Sequence, residues 1–198
     1  MDTTPPRRTV PAAPVSPGTF AHVVLRTGEP ERLRDWYQTV LNAEVVFEGH
    51  GLCFLTYDEE HHRIAIRHVP GLRPVPPADR TVAHIAYTYR TLGDLLGTYR
   101  RLAKAGIHPY WPIRHGPTVS LYYRDPDGLA VELQVDVFHT KAEASAFFHG
   151  PDFAANPIGV TFDPEELLRD YEAGLPEEAL LQRPDLPAGK TPVDMLPA

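Results

Sequence analysis

Phe20-Ala21-His22-Val23-Val24-Leu25 and Val82-Ala83-His84-Ile85-Ala86-Tyr87 are two copies of one pattern, a short apolar run with a histidine in its third place. Apolar runs of this length, rich in aliphatic and β-branched residues, read as strands. The residues after each copy also correspond. After the first, Leu33, Trp36, Tyr37, Val40 and Leu41 recur at helical spacing from about Pro30 to Val40, and strands are expected at Glu44 to Glu48, Gly51 to Tyr57 and Arg63 to Val69. After the second, a helix is expected from about Leu92 to Ala105 with Gly106 as its cap, then strands at His108 to Ile113, Val119 to Arg124 and Ala130 to Val135. Asp125-Pro126-Asp127-Gly128 suits a tight turn between the last two. The closing strands correspond as well, RIAIRHV (63–69) with LAVELQV (129–135). An internal duplication is the simplest account, and the expected fold is α+β: two tandem βαβββ modules, 19–70 and 81–135, forming a cup-shaped mixed sheet. Proline-dense Pro70 to Pro77 connects them.

Outside this domain, 19–135, lie two segments of different character. Residues 1–18 are rich in proline, which fixes φ and removes a backbone donor, and are expected to form a flexible arm. Residues 136–198 are expected to wrap the core as a C-terminal extension, with Phe147, Phe148 and Phe153 covering a sheet face in preference to lining a pocket, and a short helix at about Pro164 to Glu172.

Composition excludes several classes. The chain of 198 residues carries a formal charge of −7 with no run of Lys or Arg, which argues against an electrostatic grip on nucleic acid or an anionic membrane. No apolar stretch approaches the ~20 residues of a membrane span, and the first residues lack the apolar core of a signal peptide, so a cytoplasmic protein is expected. The single cysteine, Cys53, has no internal partner, consistent with a reducing compartment. A small-molecule function fits this balance best.

Ten histidines hint at a metal, and their positions sharpen the hint. His22 and His84 occupy the same slot of the two modules, whereas only the second carries a carboxylate, Glu132, in its closing strand. Two histidines and one carboxylate around a pseudo-twofold axis are the ligand set of an Fe(II) site with open positions. A glutamate inside LAVELQV is costly to bury alone; a bound cation would offset that cost, as would an arginine such as Arg67 or Arg124.

His115, Leu121-Tyr122, Asp125-Pro126-Asp127-Gly128 and Glu132 stand in the order and at the spacing of a known signature. Here the chain resembles the vicinal oxygen chelate superfamily and, within it, the one-domain type I extradiol dioxygenases. The resemblance covers about Phe20 to Val135. It implies Fe(II), with Mn(II) as the substitute, held by His22, His84 and Glu132, and it implies catalytic roles beside a catechol and O2 for His115, Tyr122 and an acid–base histidine. His62-Arg63-Ile64-Ala65 matches the family's His-x-x-Ala, with His61 as the fallback. Histidine suits proton transfer because its pKa lies near the working pH. The stretch Asn156-Pro157-Ile158-Gly159-Val160 and Phe162-Asp163-Pro164 resembles a segment of compact biphenyl-diol dioxygenases, without an assigned chemistry. A homodimer joined through an exposed sheet edge is expected.

Two rivals share the scaffold. A glyoxalase-like isomerase or lyase would need ligands from all four strand positions, yet the first-module slot matching Glu132 falls at about Ile66, which cannot ligate. A small-molecule-sequestering resistance protein would need neither the triad nor His115 and Tyr122.

Overall fold

The computed structural model describes residues 13–197, so most of the arm expected at 1–18 lies outside the described residues. The first module runs β1 (Val23–Thr27), α1 (Pro30–Leu41), β2 (Glu44–Gly49), β3 (Leu52–Thr56) and β4 (Ile64–His68). The second repeats it with β5 (His84–Tyr89), α2 (Leu92–Lys104), β6 (Trp111–Arg114), β7 (Thr118–Arg124) and β8 (Ala130–Asp136). In each, the first strand pairs in parallel with the last, giving the orders β1-β4-β3-β2 and β5-β8-β7-β6. The expected duplication is present, as two open mixed sheets of one module each.

Local chemistry sets the helices. Pro30 occupies the first turn of α1, where its missing N–H costs nothing, and Asn42 ends the helix in the left-handed region at φ 52°. Thr91 caps α2 by accepting from the Asp94 backbone N–H at 3.0 Å. Leu33, Tyr37 and Val40 of α1 and Leu92, Leu95, Leu96, Tyr99 and Leu102 of α2 bury one stripe each. They meet Val23, Leu25, Cys53, Leu55, Ile64 and Ile66 of one sheet and Val119, Leu121, Tyr123, Val131, Leu133 and Val135 of the other in a shared core. Strand alternation then sends the residues between these to the opposite face. His22, Val24, Phe54 and Ala65 lie on that face of the first sheet, and His84, Ala86, Tyr122 and Glu132 on that of the second.

The C-terminal extension is more structured than its composition suggested. Before the expected helix it contains α3 (Lys141–Phe148), α4 (Pro151–Ala155) and β9 (Val160–Thr161), and these are followed by α5 (Pro164–Glu172) and α6 (Glu177–Leu181). Thr140 and Glu143 form a reciprocal capping box that starts α3, a short-range signal that the aromatic content obscured. β9 pairs with β6, so the tail adds a fifth strand to the second sheet. α5 matches the helix expected there.

One buried polar contact ties the modules together. Asp125, 5% exposed, accepts from the Tyr37 hydroxyl of α1 at 3.2 Å, while its Oδ1 accepts from the backbone N–H groups of Asp127 and Leu129 at 3.0 and 2.8 Å. Burial raises the Asp125 carboxyl above its ordinary pKa despite those donors. The folded protein therefore holds this proton more tightly than the unfolded chain, and the associated stability is present at low pH and lost as pH rises through the raised value. Replacing Asp125→Asn should keep the acceptor but abolish this component. Urea unfolding from about pH 4 upward, where an ordinary Asp is ionised, should show the variant gaining on the wild type; a difference independent of pH would rule out this carboxyl as the source.

Candidate active site

Glu132 sits in the middle of β8, opposite Tyr122 on β7 and Ala86 on β5. It is 4% exposed, and its Oε2 lies 3.1 Å from Nε2 of His84. No Lys or Arg meets it among the described residues: Arg124 lies over the Tyr110 ring at 4.2 Å, and Arg67 is exposed on β4. The arginine alternative for this carboxylate is therefore not realised. Such a group, held in a strand with the His84 imidazole and the Tyr122 hydroxyl as its polar neighbours, carries a charge that no cationic Lys or Arg among the described residues offsets.

Around this pair the second module builds a polar corner. The Tyr122 ring stands edge-on to His84 at 5.4 Å, and its hydroxyl is 3.0 Å from Nε2 of His115, which lies in the loop between β6 and β7. Burial first, and then the nearby Glu132 charge, push the Tyr122 phenol far above its usual pKa, so it stays protonated. Nδ1 of His115 is hydrogen-bonded to the Ile158 carbonyl in the extension. Carbonyl oxygens only accept, so Nδ1 carries the proton, which leaves Nε2 of a neutral ring to accept from the Tyr122 O–H.

His22 is placed differently from expectation. Its ring centroid stands 4.3 Å from that of His62, which stacks on Phe54 at 4.6 Å and 14°, and Nδ1 of His61 is 2.6 Å from Nδ1 of His62. Burial and the neighbouring rings of His22 and His61 lower the His62 pKa, favouring its neutral form. Among the described residues no three His, Cys, Asp or Glu side chains gather as a ready metal cage. Two members of the expected triad, His84 and Glu132, are thus in contact, and His22 lies in the first module's aromatic cluster. Among the described residues β1 and β5 are edge strands with no ladder between them, and a cavity of about 480 Å³ opens along that seam, lined by Val23–Gly28, Leu72–Val75 and Ile85. Arg80 fastens the connector on the second module's side, donating to the carbonyls of Val75, Asp127 and Gly128.

The registers also correct one correspondence. Val24 pairs with Ala65 as Ala86 pairs with Glu132, so the first-module counterpart of Glu132 is Ala65 rather than Ile66. Ile66 points into the core. Alanine cannot ligate either, so the asymmetry between the modules stands.

A model of the Glyoxalase/Bleomycin resistance protein/Dioxygenase superfamily matches residues 19–133, more than half of the chain. The chain belongs to that superfamily. Two curated superfamily relatives come from Rhodococcus globerulus. Biphenyl-2,3-diol 1,2-dioxygenase 2 is 53% identical over 176 residues, covering 85% of this chain and 93% of the relative, and Biphenyl-2,3-diol 1,2-dioxygenase 3 is 47% identical over 166 residues, covering 83% and 87%. The glyoxylase/bleomycin resistance protein/dioxygenase domain from Frankia sp. EAN1pec shares the superfamily fold with a TM-score of 0.52 at 21% identity, over 61% of this chain and 99% of that one. Coverage of 85% runs well past residue 133, so the dioxygenase relatives share part of the C-terminal extension that the superfamily model leaves out.

The extension supplies contacts that the sequence pattern did not single out. Arg183 donates to the backbone carbonyls of His115 at 3.1 Å, Asn156 at 2.7 Å and Asp152 at 3.0 Å, with its guanidinium 5.3 Å from the Phe147 ring centroid. Phe147 in turn clusters with Phe138, Phe148 and Phe153, and Phe138 and Phe147 line a cavity of about 910 Å³. Replacing Tyr122→Phe should remove the donor to His115 with little change in volume and cost about 1 kcal/mol. Unaltered unfolding in urea would mean that this hydroxyl contributes no hydrogen bond in solution.

Proposed function

We propose that this chain is an Fe(II)-dependent extradiol ring-cleaving dioxygenase, acting on a bicyclic aryl 2,3-diol with O2 and holding its metal through His22, His84 and Glu132. The observation that carries the reading is the buried Glu132 carboxylate, which has His84 at 3.1 Å and no arginine or lysine among the described residues. Two imidazoles and a carboxylate suit Fe(II), with Mn(II) as the alternative ion, and leave positions for the diol and O2. The names of the two Rhodococcus relatives support the substrate class. A homodimer and a cytoplasmic setting, with Cys53 buried and unpaired, complete the proposal.

When bound, ferrous iron supplies an electron path between the chelated diol and O2. The protein's part is to orient the ring and manage protons. His62 is the proposed acceptor for a diol proton, with its fallback His61 in contact beside it. Tyr122, held protonated with its O–H given to His115, presents its hydroxyl oxygen as an acceptor for a substrate O–H. Phe54, stacked on His62 and 5.5 Å from Phe47, gives the same face an aromatic surface for a second ring.

The test is anaerobic loading with Fe(II), then oxygen uptake with a panel of catechols including biphenyl-2,3-diol. One O2 consumed per diol, with a yellow semialdehyde product, is expected. Isomerisation of a hemithioacetal with nickel or zinc and no oxygen uptake would replace this reading with the glyoxalase-like one. Replacing Glu132→Gln should lower iron affinity by more than the ~10- to 100-fold typical of changes around a metal ligand. Equal affinity in anaerobic titrations would exclude Glu132 as a ligand.

A further inference from the structure

Asn156 is buried, 5% exposed, and spends its whole side chain on one turn. Its Oδ1 accepts from the backbone N–H groups of Ile158 at 3.1 Å and Gly159 at 2.9 Å, and its Nδ2 donates to the Gly159 carbonyl at 2.9 Å. The turn thus held directs the Ile158 carbonyl onto Nδ1 of His115. Gly159 allows the close approach: at φ +124° it lies so near the second module's backbone that a Cβ there would collide with the Arg114 carbonyl oxygen and stand 2.9 Å from the His115 Cα. From the far side Arg183 bridges the carbonyls of His115 and Asn156, and the Phe147 ring packs over Gly116. Both the histidine and the turn that addresses it are therefore fixed.

We propose that Asn156 is a positioning residue for the reaction, acting through the Ile158 carbonyl to lock His115 in its Nδ1–H tautomer with Nε2 aimed at Tyr122. The catalytic part of this inference rests on the function proposed above; the lock itself does not. Free neutral imidazole favours the proton on Nε2, so the opposite tautomer needs a dedicated acceptor at Nδ1, and the Ile158 carbonyl is that acceptor. With the proton reversed, Nε2 would donate, and the Tyr122 O–H would lose its acceptor. The Asn-Pro-Ile-Gly segment, which lies beyond the match to the superfamily model, thereby gains a chemical role.

The test uses the full-length, iron-free chain labelled with 15N-histidine, with long-range 1H–15N correlation spectra at about pH 8, above the ordinary histidine range. Resonances of His115 are identified by their loss in His115→Gln. Wild type should show a protonated-type Nδ1 and a pyridine-type Nε2 at His115. Asn156→Ala, which releases the turn, should populate the Nε2–H tautomer, and Asn156→Ser, which retains a weaker acceptor for the turn, should fall between. If the alanine variant does not fold, the serine variant decides. After iron loading, the alanine variant should lose about 10-fold in kcat with KM within about 2-fold. An Nε2–H tautomer in wild type, or the wild-type tautomer in every folded variant, would overturn the lock. Tautomer shifts without any change in kcat would overturn its role in the reaction. Absence of ring cleavage by iron-loaded wild type would remove the proposed reaction and leave the spectra to judge the lock alone.

Discussion

A carboxylate in the third place of a seven-residue buried strand must be neutralised, because the desolvation of an isolated charge costs several kcal/mol. Glu132 cannot escape to solvent, since β8 is flanked by β5 and β7 and alternation fixes which face it occupies. The chain answers with position: parallel pairing of β5 with β8 sets His84 two residues before Ala86, the residue opposite Glu132, which brings imidazole and carboxylate within 3.1 Å. Tyr122 occupies the other neighbouring strand at the same level. The polar corner is thus a direct product of sheet register, and a slip of one residue in β8 would send the carboxylate into the hydrocarbon core.

The same register in the first module places Ala65 where the second has Glu132. With no carboxylate to serve, that face is free to be aromatic, and it carries Phe54, His62 and His22 in a continuous run of ring contacts. The two modules therefore present different faces, a charged corner in one and a ring-stacking surface in the other. The proline-rich connector and the Arg80 clamp set how the two faces meet along the β1/β5 seam.

Much of this was legible in the sequence because it depends on period and turn chemistry. The repeated histidine runs, the helical spacing of Leu33, Tyr37 and Val40, and the Asp125–Gly128 turn, with Gly128 at φ +80°, all declare themselves locally. The pairing of His84 with Glu132 was readable once the modules were aligned. Two things were not. The location of His22 depends on how two edge strands approach without a ladder between them, and no residue period encodes that distance. Likewise α3 and α4 have no core-facing stripe to announce them, since none of their residues is buried, and their signal lies in the Thr140 cap and the prolines.

The extension shows why a site made by sheet register still needs help from outside the sheet. Register delivers Tyr122 and Glu132 to within reach of each other, but His115 lies in a loop, where neither pleat nor ladder fixes its ring. A loop histidine can rotate and exchange tautomers, and either change would reverse the hydrogen bond it shares with Tyr122. The tail removes that freedom by backbone contact: β9 joins the sheet edge at β6, and the Asn156 turn delivers a carbonyl to the ring. His62 has no such carbonyl partner; its Nδ1 faces another imidazole, which can donate or accept. The two histidines therefore differ in setting, His62 beside a ring that can pass a proton either way and His115 with one ring nitrogen fixed on a carbonyl.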